Sequence, residues 1–406
     1  SDGDQCTEGD SCKSGKCQSG KQVDPSSKCN DGDVCPTDGC DPKTGCSHSN
    51  NTVACGTCHR PAAGGADPRV GRHTGTDKGT IDDIWGSPGV ILMNEAGEPL
   101  EHPIFGRDPQ VTTRITPSNF GALWANEVFW DGRAGSEFID PLTGDVAIAS
   151  GGALENQALS SLSNTAEMTR PNRTWADLTR KLESAQPLAL AQNLPADVAS
   201  AIESNSDYPS LFQAAFHDPE ITPTKIAFAI STYERTLVAD QTPWDLYMAG
   251  DETALTEQAA FGWRAFQRLH CVNCHEPPLF TNNDFLNIGL RLMKFDLGRQ
   301  GVTGDQEDGG GMKVPSLRNV GLRTRYMHTG EFSRLSEAIL FYDSGIALPG
   351  IDEIPDLGTY FFDISGYDIY DLDAFLRYGL VDPRVANETF PFVLGISIAR
   401  GCSFIL

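Results

Sequence analysis

The feature that most constrains this chain is a five-residue pattern that occurs twice, as Cys55-Gly56-Thr57-Cys58-His59 and as Cys271-Val272-Asn273-Cys274-His275. C-x-x-C-H is the attachment signature of c-type haem. Its two thiols bond to the porphyrin vinyl groups, and the adjoining His is placed to ligate iron. One copy would also suit a redox dithiol or half of a zinc site. Two copies, each closed by His, point to two covalently bound haem c groups and therefore to redox chemistry.

The rest of the chain must supply the pockets. Its 406 residues suit two or three domains, and a hydrophobic share of 39% permits well-packed cores. The formal net charge of −24 would repel phosphate and argues against a nucleic-acid partner. A basic protein or peptide would be steered in, or the acid simply keeps an exported protein dispersed. Twelve cysteines are present, four of them in the two patterns and seven before residue 50. That density implies an oxidising compartment. No apolar run is long enough to span a bilayer, and the chain reads as a processed periplasmic or extracellular protein.

Residues 1–50 form a separate segment, rich in Asp, Gly, Ser, Lys and Cys, with an internal repeat. Asp2-Gly3-Asp4-Gln5-Cys6 returns as Asp31-Gly32-Asp33-Val34-Cys35, and Cys17 returns as Cys46. With almost no aliphatic side chains it cannot bury a core, so disulfides must staple it. An odd number of thiols leaves one over. Either Cys402 completes the pairing, or two free thiols remain. The segment is a docking module or a spacer.

From about residue 51 the character changes. Gly and Pro punctuate residues 61–121, which reads as loop wrapped over a haem. Helices are expected at Ser161 to Met168, Thr174 to Glu183, Asp197 to Ser204, from Thr222 to about Leu237, and from Thr256 toward Cys271. Leu335 to Tyr342 and Tyr370 to Leu380 read as helices too. No run of alternating strands appears. The expected fold is mainly α: two cytochrome c-like haem domains, residues 51–250 (peroxidatic) and 251–406 (electron-transfer), behind a small disulfide-rich segment.

From Cys55 to Tyr378 further motifs follow in order: Phe129-Trp130-Asp131-Gly132-Arg133-Ala134, then Leu154-Glu155-Asn156-Gln157-Ala158 with Glu167-Met168, Val314-Pro315-Ser316-Leu317-Arg318-Asn319-Val320, and Tyr326-Met327-His328-Thr329-Gly330. On these the chain resembles the bacterial di-haem cytochrome c peroxidase and MauG superfamily. The resemblance implies that the first haem, on His59, has an open position for peroxide, while the second, on His275, stays six-coordinate and stores or relays an oxidising equivalent. Breaking the O–O bond needs an acid over the open face. Glu155 occupies the position taken for the family's distal glutamate, with Glu137 and Asp140, in the insertion after Arg133, as rivals. His73 lies near the spacing of a distal His that blocks the first iron in the classical peroxidases. It either gates that iron or is solvated.

The sixth ligand of the second haem separates the branches of the family. Peroxidases place Met there, whereas the matching position here is Tyr342, as in the MauG/MbnH-like branch. A phenolate favours high-valent iron and a thioether favours ferrous iron. Met327 and Met312 are the thioether alternatives. Trp124 or Trp130 would relay electrons between haems, with Trp85 and Trp263 also available. The family also implies a calcium ion between the domains, held partly by backbone carbonyls of Leu322-Arg323-Thr324-Arg325, although Arg325 stands where Pro is frequent. His48, His102, His217 and His270 read as structural or solvated. The resemblance thus implies an oxidoreductase reacting with hydrogen peroxide, or with dioxygen plus electrons, and oxidising an aromatic residue of a partner protein. The alternatives are a cytochrome c peroxidase fed by a small cytochrome and a non-catalytic electron-transfer module.

Overall fold

Hydroxyl-bearing residues mark where most of the helices begin. Thr174, Thr222, Thr242, Thr256 and Ser365 each accept the backbone N–H three residues on, satisfying a donor that the first helical turn leaves free. The computed structural model describes residues 53–73, 83–188, 194–343 and 364–392, together with the backbone of short strands between Thr7 and Ser49. Its principal helices are α1 (Ala153–Ser163), α2 (Trp175–Ser184), α3 (Ala196–Ser204), α4 (Tyr208–Phe216), α5 (Pro223–Glu234), α6 (Pro243–Met248), α7 (Glu257–Arg268), α8 (Leu335–Asp343) and α9 (Gly366–Ala374). Among the described residues, strands occur only as small antiparallel pairs. The fold is mainly helical, as the sequence predicts.

Two cores hold it. In the first, α1, α2, α4 and α5 bury Leu159, Leu178, Leu182, Phe212, Ile226 and Ile230 with Phe138. In the second, α7 crosses α9 and closes over Trp244, Trp263, Phe266, Phe280 and Phe375. The α7–α9 crossing depends on Gly262, where an added Cβ would meet the carbonyl oxygen of Asp371 at 1.9 Å. Beyond Ala374, helix α9 widens into a π turn, Phe375–Gly379. The helix expected over Ser161–Met168 is different in the structure. Those residues are the end of α1 and a turn in which Asn164 accepts from the Ala166 N–H and donates to Glu167. A side-chain-directed turn competes there with the helix.

An internal repeat spans the two cores. Pro117-Ser118 corresponds to Pro315-Ser316, and the left-handed Gly121 (φ 73°) to the left-handed Asn319 (φ 60°), 198 positions later. Short 3-10 turns follow at Ala122–Trp124 and Val320–Leu322. Phe129 (φ 70°) then matches Met327 (φ 63°), and Gly132 matches Gly330. The bridges Val128–Ala134 and Tyr326–Phe332 close both loops. Left-handed backbone at Phe or Met costs energy, so both loops are held by what surrounds them.

The halves are laced together rather than merely adjacent. The N–H of Ile115 donates to His328 O, that of Lys313 to Trp130 O, and that of Trp85 to Thr329 O. The short helical turn Pro383–Ala386 and its flank return to the first half. There Glu388 pairs with Arg60 at 3.2 Å, Arg384 pairs with Asp240 at 2.6 Å, and Phe392 packs on Phe120. In the early segment, backbone pairing sets residue 12 opposite 17 and residue 40 opposite 46. The expected disulfides, including one through Cys402, and the reading of His48 concern side chains outside the described residues.

Candidate functional site

Each C-x-x-C-H folds into one tight turn. The His59 N–H donates to Cys55 O at 2.8 Å and the His275 N–H to Cys271 O at 2.9 Å, which puts both thiols and the imidazole around one site. His59 Nδ1 donates to Gly65 O at 3.0 Å, and His275 Nδ1 to Phe280 O at 3.2 Å and Pro315 O at 3.1 Å. These carbonyls fix the tautomer and leave Nε2 of each ring for a metal. Burial holds the His59 imidazole below its ordinary pKa and takes His275 down to about 4, so both rings are neutral, as ligation requires. Cys55, Cys58, Cys271 and Cys274 are all free thiols, not disulfides. Burial pushes Cys55 up to about 11 and Cys271 up to about 12, so these are apolar groups that a thioether replaces without loss of charge. The residues fit two haem c groups.

A cavity of about 680 Å³ opens on the first site. This is within the range of cofactor pockets. Cys55, Cys58 and His59 form one wall. His73 and His102 reach the same cavity, flanking Phe105 with ring centroids at 5.4 and 4.9 Å. The structure therefore brings His73 to the site. His102, read from sequence as structural or solvated, joins it there, with Nδ1 accepting the N–H groups of Ile104 and Phe105.

The acids are distributed otherwise than the sequence suggests. Glu155 is 2% exposed but stands off the cavity wall. Its carboxylate accepts the Ser231 hydroxyl at 2.6 Å and two N–H groups of Arg235 at 2.8 and 3.1 Å. Glu137 is exposed. Asp140 accepts from Thr224, Leu142 and Thr143, which closes a turn. The cavity is lined instead by Gln157 and by the acids Glu167, Glu234 and Asp131, the last of which is paired with Arg114 and Arg133. Helical geometry accounts for the first: residues two apart on α1 face different sides, so Gln157 and Glu155 cannot share the cavity wall. Glu167 is aimed by the turn at Asn164, whose Nδ2 donates to Glu167 Oε1 at 2.8 Å. Glu234, on α5, carries an unpartnered Oε2, and burial, together with the nearby Glu155 charge, raises its pKa to about 7. The motif Glu167-Met168 was visible in the sequence; nothing local marked Glu234.

Trp130 lies between the halves. Its indole N–H donates to Ile115 O at 2.7 Å, and its ring is 6.1 Å from that of His328, the equivalent residue of the repeat. Trp124 is 45% exposed and off the cavity wall. Trp263 belongs to the second core, and Trp85 lies under Arg325. Arg133 stacks on Phe129 at 3.5 Å and pairs with Asp131, which Arg114 ties to Asp296.

At the second site Tyr342, on α8, packs against the same core as Cys271. Burial and the adjacent Cys271 and Cys274 sulfurs, which stand in for thioethers, raise its hydroxyl above the ordinary range. Met327 packs on the same core, whereas Met312 is drawn to Trp130 and Ile115. His217 and His270 are left-handed helix-boundary residues; His270 caps the turn that begins at Cys271, its carbonyl accepting the Asn273 N–H at 3.0 Å.

Comparison with known proteins places these features. The chain is 29% identical over 330 residues to the methylamine utilization protein MauG of Methylophilus methylotrophus, covering 80% of this chain and 76% of that protein. It is 26% identical over 328 residues to the cytochrome c peroxidase Ccp of Escherichia coli K12, covering 78% of this chain but only 55% of the relative. Two solved structures share the fold: a MauG-like protein associated with microbial copper homeostasis (TM-score 0.56, 22% identity, 85% of this chain and 87% of that one) and the dihaem peroxidase BthA from Burkholderia thailandensis E264 (TM-score 0.53, 18% identity, 86% of each). The family profile described as di-haem cytochrome c peroxidase matches residues 46–253. That match takes in half of the chain, which thus belongs to the di-haem cytochrome c peroxidase family, whose members are two-haem c-type peroxidases and MauG oxidoreductases.

Proposed function

We propose that this protein is a MauG-like oxidoreductase that reduces peroxide at its first haem and withdraws electrons from an aromatic side chain of a partner protein. The observation that carries the reading is the contrast between the two sites. The first adjoins a cavity of about 680 Å³ with the carboxyl groups of Asp131, Glu167 and Glu234 on its wall, while the second is packed by Tyr342 from α8. When bound, the haems supply the iron at which peroxide is reduced and hold the oxidising equivalents. Reduction of hydrogen peroxide to two waters takes two electrons and two protons. Glu167 and Gln157 stand on the cavity wall, and we assign proton delivery to Glu167 instead of Glu155, whose oxygens are occupied by Arg235 and Ser231. The carbonyls of Gly65 and Pro315 hold the His59 and His275 imidazoles so that their Nε2 atoms would be free to bind haem iron. Trp130 is the relay, since it is buried at the seam, whereas Trp124 faces solvent. Tyr342, packed on the core that holds Cys271, would supply an oxygen ligand to the second haem. The cysteine usage supports a periplasmic or extracellular setting, and among the described residues no helix is long and apolar enough to cross a membrane.

The test is EPR and absorption of the ferric holoprotein before and after stoichiometric peroxide. One high-spin and one low-spin haem are expected at rest, with both altered by peroxide. Tyr342→Met should keep both haems yet abolish their joint response. An unchanged response removes Tyr342 as the ligand. A second reading, a cytochrome c peroxidase gated by His73, is favoured by the presence of that residue on the cavity wall. It predicts two low-spin haems at rest, one of which turns high-spin only after partial reduction.

A further inference from the structure

Arg323 occupies an unusual place. It follows the 3-10 turn Val320–Leu322 of the second half, at a position that the repeat fills with Ala125 in the first. Its guanidinium reaches across the seam. Nη2 donates to Thr116 O, in the first half, at 3.1 Å, and Nε donates to Arg325 O, in the second, at 3.3 Å. The Arg323 carbonyl is itself engaged by the Tyr326 hydroxyl at 3.0 Å. The side chain runs past Gly64, which is left-handed (φ 69°). A Cβ added at Gly64 would be 2.6 Å from Asn319 O and 3.5 Å from Arg323 Cγ. Among the described residues no carboxylate pairs with Arg323, and burial takes its pKa down to about 10. Its charge is felt at His59.

A second cation flanks the same carbonyls. Arg325 donates to Gly330 O and lies 4.7 Å from the Trp85 ring. The segment whose carbonyls the family resemblance assigns to a calcium ion therefore carries two guanidinium groups and offers no carboxylate. Among the described residues no cluster of three or more His, Cys, Asp or Glu side chains could hold a metal ion. A divalent cation on Arg325 O would lie within a few ångströms of the Arg323 guanidinium in a weakly screened setting, where like charges repel strongly. Calcium also takes six to eight oxygen ligands, most readily with carboxylates among them. These residues do not fit it.

We propose that the Arg323 guanidinium takes the place of the interdomain calcium ion, bridging Thr116 O to Arg325 O, so that the two halves of this protein are joined without a divalent cation. A guanidinium suits the task, since its planar fork of donors meets two carbonyls at once and its charge does not depend on metal supply. Asn119 Oδ1 and Glu234 Oε2 are buried oxygens without donors that line the same cavity as Arg323, and neither pairs with it.

The proposal is independent of which reaction the haems perform, and its test reads metal and stability rather than turnover. The di-haem holoprotein is purified once with calcium and once with EGTA, then assayed for calcium by mass spectrometry, for thermal midpoint and for ferric haem EPR. Sub-stoichiometric calcium in both preparations, with superimposable midpoints and spectra, is the expected result. One calcium per chain surviving dialysis, or a low-spin signal that moves on chelation, overturns it. Arg323→Met should lower the midpoint by roughly 2 °C or more, and Arg323→Lys should recover part of that loss. A Met variant as stable as the parent shows that the bridge carries no weight and also defeats the proposal. Should Arg323→Met fail to fold, the metal content of the parent still decides.

Discussion

The two haem regions are variations on one scaffold, and their differences are informative. Residues 117–134 and 315–332 share a Pro-Ser start, a left-handed residue, a 3-10 turn and a bridged loop with two further left-handed residues. In both halves a carbonyl holds Nδ1 of the axial histidine. What differs is the space on the other side. The first half spends its surroundings on loop, with His73, His102, Gln157, Glu167 and Glu234 around a cavity. The second sets Cys271 and Tyr342 against a core of Trp244, Trp263, Phe266, Phe280 and Phe375. A duplicated frame can serve two roles once one copy adjoins polar cavity residues and the other an aromatic core.

The comparison can be broken most sharply at the cavity. Glu167→Gln should slow the reaction with peroxide by about a hundredfold or more if a cavity carboxyl delivers the proton, whereas Glu155→Gln should chiefly weaken the pairing with Arg235. Stopped-flow absorption of both variants checks this, and a slow Glu155 variant beside a fast Glu167 variant would restore Glu155 to the role. Next in size is Phe266→Ala, which opens a void beneath α7. It should cost about 3–5 kcal/mol and disturb the low-spin haem signal ahead of the high-spin one. Equal disturbance of both would mean that the cores are not independent supports.

The smallest effect concerns Glu234, whose pKa lies at about 7 against an ordinary 4.5. Between those values the unfolded chain loses a proton that the folded protein retains, so this group's contribution to stability falls as pH rises from about 4.5 to 7. Glu234→Gln should remove that slope and gain roughly 2–3 kcal/mol over the parent near neutral pH, at about 1.4 kcal/mol per unit. Thermal unfolding at pH 5 and pH 7 measures it. Parallel pH profiles for parent and variant would show that the carboxyl is ionised in the fold.

Much of this was legible before any coordinates, because some chemistry is local in the chain. Two thiols and an imidazole in five residues converge on one site wherever the pattern occurs, so the two haem sites followed from Cys55–His59 and Cys271–His275 taken together, and the family with its mainly helical fold from these and the Phe129–Ala134 block. Thr174, Thr222 and Thr256 marked helix starts for the same reason, since a cap acts over three residues. Which acid faces the cavity was not local. Glu155 and Gln157 are two residues apart on one helix, and only the packing of α1 on α5 decides that Gln157 looks inward while Glu155 turns to Ser231 and Arg235. The repeat was hidden as well, because its halves share backbone conformation more than side chains. The role of Arg323 likewise rests on a carbonyl more than two hundred positions away in sequence. Covalent and capping chemistry is written into adjacent residues, whereas direction, burial and charge pairing exist only once distant segments have met.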